Sequence, residues 1–219
     1  FSWSVPTEFV KLPSQGKFYH PNHPLHNEGT VEIKFMTAKE EDILSSRSLL
    51  KEGVALDRML QNILVETNID VTSLLVGDKN ALLVAARRTG YGAEYETKVT
   101  CPNCGTTDDF SFDISDPPIH DYEAKMEAYK VTLNSSNNLE ITLPMTKATV
   151  ECRLLTGRDE QKIFKEAERK AKKKIDTGST TDAFRSYIVS VNGEDSPFTI
   201  ESFIQAMPAR DSRILRRAY

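Results

Sequence analysis

Three cysteines, one tryptophan and no long apolar run are the first constraints this 219-residue sequence imposes. Three cysteines are too few for a disulfide scaffold, and two of them sit in Cys101-Pro102-Asn103-Cys104, which points to a reducing compartment. The longest apolar stretch, Ala81 through Ala86, stops at Arg87-Arg88. That is far short of the roughly 18 residues of a membrane span. Charge of one sign is also scarce: 28 basic against 32 acidic side chains leave a net charge of -4, which disfavours a strongly nucleic-acid-binding protein. Phe1-Ser2-Trp3-Ser4-Val5-Pro6 has neither the charged nor the apolar region of a signal peptide. A starting Met is absent, which leaves room for residues upstream. Phosphate-cradling Gly-x-x-x-x-Gly-Lys-Ser/Thr, dinucleotide Gly-x-Gly-x-x-Gly, Gly-x-Ser-x-Gly and His-Glu-x-x-His are all missing. No enzyme class is supported. What is present, 39% hydrophobic and 27% charged residues, reads as a soluble globular chain of one large or two small domains.

The most informative feature is internal. Val31 through Glu41 matches Val150 through Glu160, with four of the eleven positions identical and most others exchanged like for like. Each copy reads as a strand that runs into a helix capped by Thr37 or Thr156. Glu40 or Asp159 follows three residues on, as a capping box requires, with Asp159 the weaker version. The match continues with Asp57 to Leu64 over Asp182 to Val189, Ile69 to Leu75 over Phe198 to Ile204, and Asp78 onward over Asp211 onward. Upstream, Val10-Lys11-Leu12-Pro13 resembles Ile141-Thr142-Leu143-Pro144. The expected architecture is α+β, an internally duplicated strand-strand-helices unit with a central zinc-ribbon-like hairpin. Residues 1–92 form the first lobe, 93–120 the hairpin and 121–219 the second lobe. Strands are expected near 8–12, 30–36, 94–100, 107–113, 129–134, 138–143 and 148–155. Helices are expected near 38–51, 55–67, 71–76, 79–89, 158–174, 181–190, 200–206 and 209–217.

Cys101 and Cys104 are the candidate metal ligands. The Cys-x-x-Cys-Gly turn aims two thiolates at one zinc, and Gly105 relieves the backbone where the strand turns back. Four ligands are the rule and no second such motif exists, so a metal-free knuckle held by its hairpin alone stands beside a filled one. Cys152 aligns with Ile33 and is read as a small buried thiol in a core position. His20, His23 and His26 lie in a Pro-rich loop and are read as polar loop residues, with a metal site as the alternative; His120 follows Pro117-Pro118. A redox role for the cysteine pair needs a helix N-terminus, and the motif lies between strands. Residues 158–174 carry eight basic and four acidic side chains, read as a solvated helix face with Glu166 and Lys170 paired. Gly90-Tyr91-Gly92 after Arg87-Arg88 marks a sharp helix exit into the hairpin.

Several runs resemble one family: Met36 to Leu44, Gly53 to Arg58, Gly77 to Leu83, Gly90-Tyr91-Gly92 through Cys101-Pro102-Asn103-Cys104-Gly105, and Leu155 to Glu160. They look like the baseplate hub assembly proteins of T-even-type contractile-tailed bacteriophages. The resemblance implies a non-enzymatic hub subunit or assembly factor, a chaperone-like role whose partners are other phage tail and baseplate hub proteins. It implies action in the host bacterial cytoplasm during assembly and a place in the virion tail baseplate, with no membrane and no nucleic acid as partner. Cys101 and Cys104 carry over as a zinc knuckle. The alternatives are a tail-assembly chaperone for the tape-measure protein and a zinc-ribbon adaptor that binds nucleic acid.

Overall fold

Thr7–Lys11 (β1) and Thr30–Lys34 (β2) pair antiparallel with Val10 opposite Val31. Val10, Leu12, Val31 and Ile33 are buried while Phe9 stays exposed, as the two-residue alternation of a half-buried sheet requires. The computed structural model describes residues 3–119, 121–173 and 179–219. The chain forms two units. The first comprises the described residues of Phe1–Gly16, Asn27–Val71 and Gly77–Ile119; the second comprises those of Lys17–His26, Thr72–Val76 and His120–Tyr219.

In the first unit, β2 runs into Ala38–Ser45 (α1), followed by Arg47–Glu52 (α2) and Ala55–Ile63 (α3). The Thr37 amide donates to Glu40 Oε2 at 2.8 Å and the Thr37 hydroxyl does so at 2.6 Å, closing the capping box. Glu40 also accepts from the Asn62 side chain of α3. Beyond α3, Leu64 bridges back to Ile33, which extends the small sheet by one residue. Val76–Tyr91 (α4) lays Asp78, Lys79, Leu82, Ala85 and Ala86 on one buried stripe, the spacing of a core-facing helix. Asp78 is almost fully buried and accepts from the Ser14 amide at 2.9 Å and from the Ser14 hydroxyl. That contact ties the loop after β1 to the start of α4. Glu94–Thr100 (β3) and Thr107–Asp113 (β4) form a separate two-stranded ribbon.

The second unit is built on an antiparallel sheet of Thr132–Leu133 (β5), Leu139–Thr142 (β6), Thr149–Cys152 (β7) and Ile188–Val191 (β8), in that order. Its helices are Tyr122–Tyr129 (α5), Gly157–Lys172 (α6), Ser179–Tyr187 (α7), Pro197–Ala206 (α8) and Ala209–Ala218 (α9). Leu139, Ile141, Val150, Cys152, Ile188 and Val191 line one face of the sheet, and Phe184, Ile204 and Leu215 close over it. The Thr156 amide and hydroxyl both donate to Asp159 Oδ2 at 2.9 Å. This box is stronger than its shorter side chain suggests, because the Arg153 guanidinium grips Asp159 with two nitrogens at 2.8 and 2.9 Å. That fork, with the Thr156 donors, holds the Asp159 carboxyl at about 2 against the opposing effect of burial. Asp211 is fully buried at the start of α9 and accepts from the Met145 and Thr146 amides at 2.9 Å and from the Thr146 hydroxyl at 2.8 Å. The loop after β6 is therefore tied to the last helix as Ser14 is to α4.

Several local expectations fail, among them the helix over 55–67, which ends at Ile63, and the strand over 129–134, which shrinks to Thr132–Leu133. Residues 188–190, read as the end of a helix, form β8; pairing with β7, through a bulge at Glu151/Cys152, overrides helical periodicity in Ile-Val-Ser-Val. The helix expected over 38–51 breaks at Ser46, whose extended backbone separates α1 from α2. Residues 71–76 form only a three-residue 3-10 turn, Val71–Ser73, before α4. Helix α5, capped by Asp121 accepting from the Ala124 amide at 3.1 Å, has no counterpart among the expected helices.

Cys152 is 0% exposed, and burial followed by the neighbouring Glu151 charge pushes its thiol up to about 12. It is inert and shaped by packing. Cys152→Val adds little volume in a strand that favours β-branched residues, so urea unfolding should show a change within about 1 kcal/mol. A large loss of stability would show that the thiol has a role beyond packing.

Candidate functional site

The β3–β4 ribbon is the chain's most distinctive surface feature. Its register is regular from Glu94 opposite Asp113 to Thr100 opposite Thr107. Tyr95, Val99, Phe110 and Phe112 fall on one face and are 37–55% exposed. Tyr95 and Phe112 have ring centroids 5.1 Å apart, and Phe110 and Phe112 are 5.9 Å apart. An aromatic ladder open to solvent contributes to folding only the roughly 0.2–1 kcal/mol of each cross-strand pair. Its chemistry suits burial against a partner.

The root of the ribbon is pinned by α4. Arg87 donates to the Gly92 carbonyl at 3.1 Å and stacks over the Tyr91 and Tyr95 rings at 5.1 and 5.5 Å. Arg88 donates through Nη2 to both Glu8 carboxylate oxygens, at 2.8 and 3.0 Å, and through Nη1 to the Ser115 carbonyl at 3.0 Å. The two arginines that end the apolar run thus set the angle at which the ribbon leaves the unit. Gly92 has φ +87, a conformation that costs a side-chain-bearing residue, and a Cβ on Gly90 would lie 3.2 Å from Met36 Sδ. Both glycines of Gly90-Tyr91-Gly92 are explained by this exit.

At the tip, the Gly105 amide donates to the Cys101 carbonyl and the Cys101 amide to the Thr106 carbonyl, both at 2.9 Å. Gly105 takes φ +72 to close the turn. Cys104 is exposed and Cys101 half-buried. Cys104 Sγ lies 3.3 Å from Thr106 Oγ1. Hydrogen bonding to the Thr106 hydroxyl and amide, then to Cys101, brings the Cys104 thiol down to about 7. Among the described residues no group of three or more His, Cys, Asp or Glu side chains converges as a metal site.

The histidines of the Pro-rich loop serve the second unit. His23 Nδ1 accepts from the Leu25 amide at 3.1 Å, Nε2 lies 2.8 Å from Ser73 Oγ, and the ring stacks on Tyr19 at 4.3 Å. His20 Nδ1 accepts from the Asn22 amide at 3.3 Å, and His26 Nδ1 lies 2.8 Å from the Tyr19 carbonyl. These rings organise successive turns. His120 and Lys174 lie outside the described residues. On α6 the expected Glu166–Lys170 pair is replaced: Arg169 lies 3.7 Å from Glu166, and Lys170 reaches Asp182 on α7 at 2.8 Å. Part of the basic run therefore braces two helices of the second unit.

Among the described residues, no helix is long and apolar enough to cross a membrane. The described residues form a mixed α+β chain whose β3–β4 ribbon presents an exposed aromatic face. The family model of the T4 bacteriophage base plate protein matches residues 5–140, and the chain belongs to that family. It is accordingly a structural protein of the phage tail baseplate that works with other baseplate proteins. No curated protein and no solved structure matches the chain.

Proposed function

We propose that the protein acts at the baseplate hub, as a hub subunit or as a factor that holds other tail proteins in register while the hub is built in the infected cell. The observation that carries this reading is the aromatic face of the β3–β4 ribbon, held at a fixed angle by Arg87 and Arg88 and left open to solvent. Its partner is another hub protein with a complementary apolar surface.

We also propose that the two units descend from one duplicated strand-strand-helices element. Correspondence at separate places supports this. Val10, Leu12, Val31, Ile33 and Leu82 are buried where Ile141, Leu143, Val150, Cys152 and Leu215 are. Thr37 with Glu40 corresponds to Thr156 with Asp159. Asp78 grips the loop after β1 as Asp211 grips the loop after β6. Duplication gives a baseplate protein two related shapes from one design and requires no catalysis. The Cys101–Cys104 turn, closed by the Gly105 and Cys101 amides, supplies two of the four ligands that a structural zinc takes, and the zinc content of the purified chain tests this half-knuckle.

Mass spectrometry of purified virions, and of proteins co-purifying with the tagged chain from the same infection, tests the hub reading. Stoichiometric presence in virions makes it a subunit, and absence from virions with capture of hub proteins makes it an assembly factor. Phe110→Ser with Val99→Ser should abolish that capture while shifting stability by only about 1 kcal/mol, the scale of the exposed pair contacts that are lost. Capture of the tape-measure protein alone, or of nucleic acid with a steep salt dependence, would overturn the reading.

A further inference from the structure

We propose that the outer edge of β3 pairs with the same edge of a second copy of this chain, in an antiparallel ladder whose two-fold axis passes through Thr97. This edge pairing goes beyond the hub reading, which uses the aromatic face of the ribbon and not its edge.

The backbone sets which groups are available. The Cys101 amide donates to the Thr106 carbonyl and the Ile114 amide to the Ala93 carbonyl, both at 2.9 Å. With the register of the ribbon, this makes the odd-numbered positions of β3 the ones that bond to β4. The amides and carbonyls of Glu96 and Lys98 therefore point the other way, where no strand lies among the described residues. Such an edge is a template for a further strand. Its free length ends at Glu94, whose carbonyl already accepts from Arg87 Nη2 at 3.5 Å.

The order of side chains selects the occupant. Glu-Tyr-Glu-Thr-Lys-Val-Thr, the sequence of β3, complements itself about Thr97. In the antiparallel register centred there, Glu96 lies opposite Lys98 of the second copy, and Lys98 opposite its Glu96. Tyr95 lies opposite Val99 and Val99 opposite Tyr95, an aromatic against a β-branched side chain each time. Both kinds of pair stabilise neighbouring strands. The same register sets the outward backbone groups of Glu96 and Lys98 against each other, so the ladder closes without a change in β3. All of these side chains except Thr97 are exposed, and Lys98 meets Asp109 only in a surface contact at 3.8 Å. The edge of β4 offers no such match. It carries three aspartates and no base, and centring it on Phe110 sets Asp108 against Phe112. A two-fold contact needs a surface that complements itself, and of the two ribbon edges β3 provides it. Cross-strand neighbours share a face, so the pairing joins both aromatic faces on one side of a four-stranded sheet.

Light scattering of the full chain, purified under reducing conditions, should show a monomer–dimer equilibrium as concentration rises. Lys98→Glu alone and Glu96→Lys alone each set like charges opposite one another and should weaken the dimer by about tenfold or more. The double swap, Glu96→Lys with Lys98→Glu, restores opposite charges and should bring the dimer back. Circular dichroism of each variant separates lost pairing from lost folding. Thr97→Cys, made with Cys101→Ser and Cys104→Ser, should cross-link two copies in oxidised glutathione. Residues facing each other at such a non-bonded position have Cα atoms about 4.5 Å apart, within the span of a disulfide. A chain that stays monomeric up to millimolar concentration would overturn the inference. So would a dimer that survives both single reversals, or one that the double swap fails to restore. A monomer that still captures hub proteins would lose the edge pairing and keep the hub reading.

Discussion

Asp211→Ala is expected to destabilise the second unit by about 3–5 kcal/mol, measured by urea unfolding, because it orphans three donors around a buried carboxylate. The Met145 amide, Thr146 amide and Thr146 hydroxyl all converge on Asp211, which is 0% exposed. Burial alone would raise this carboxyl, but the Thr146 and Met145 amides and the Thr146 hydroxyl outweigh it and hold it below the usual range. The pH dependence follows from that direction. A carboxyl lowered in the folded state stabilises above its unfolded value, near 3.9 for a free Asp, and loses that contribution as pH falls through the folded value. The cost of Asp211→Ala should therefore be full at neutral pH and shrink below about pH 4. A cost that is the same at pH 7 and pH 3 would mean that the carboxylate charge is not what holds the loop.

Lys79→Met is the second large effect, expected at about 3–5 kcal/mol in the first unit, again by denaturant unfolding. Lys79 Nζ lies 2.7 Å from Asp57 Oδ1, with side chains only 8% and 10% exposed. Removing the ammonium leaves a carboxylate in the core without its cation. Replacing both, with Lys79→Met and Asp57→Leu, removes the carboxylate left without this cation, and the double-mutant cycle reads how much of the loss belongs to this pair. Asp182, the residue that aligns with Asp57, makes a useful contrast. It pairs with Lys170 and Arg185 at 2.8 Å, but these side chains are 26–36% exposed. Solvent screening should reduce the cost of Asp182→Asn to about 1 kcal/mol or less.

Much of the fold can be read from the sequence where local chemistry decides it. β3 and β4 match their expected bounds because alternation and the Cys-Gly turn act together over a short span. The Thr37 and Thr156 caps are legible because a capping box is a four-residue motif. What sequence reading misses is decided at a distance. The β-branched residues of Ile188–Val191 favour a strand, but it is pairing with β7 that fixes where α7 stops. The partner of Asp78 is Ser14, 64 positions away, and that of Asp211 is Thr146, 65 away. No spacing rule connects such pairs. At the ribbon the cysteines announce themselves by spacing. The roles of Arg87 and Arg88 at its root depend on where the Gly92 and Ser115 carbonyls end up.

The way the two units draw on the chain has a consequence for synthesis. All residues of the first unit have been made once residue 119 is added, so that unit can fold while the ribosome is still at work. The second unit cannot, because its early segments, residues 17–26 and 72–76, belong with residues 120–219. Tyr19, Leu25 and Leu74, buried in the finished protein, must wait for the strands and helices made last. At bacterial elongation rates of about 5–20 residues per second, residues 120–219 take roughly 5–20 s. For that interval the nascent protein is half folded, with apolar side chains uncovered in segments that the completed half does not use. A codon-level slowdown after residue 120 would lengthen this exposure and should raise the aggregated fraction, whereas the same slowdown upstream of residue 17 should not.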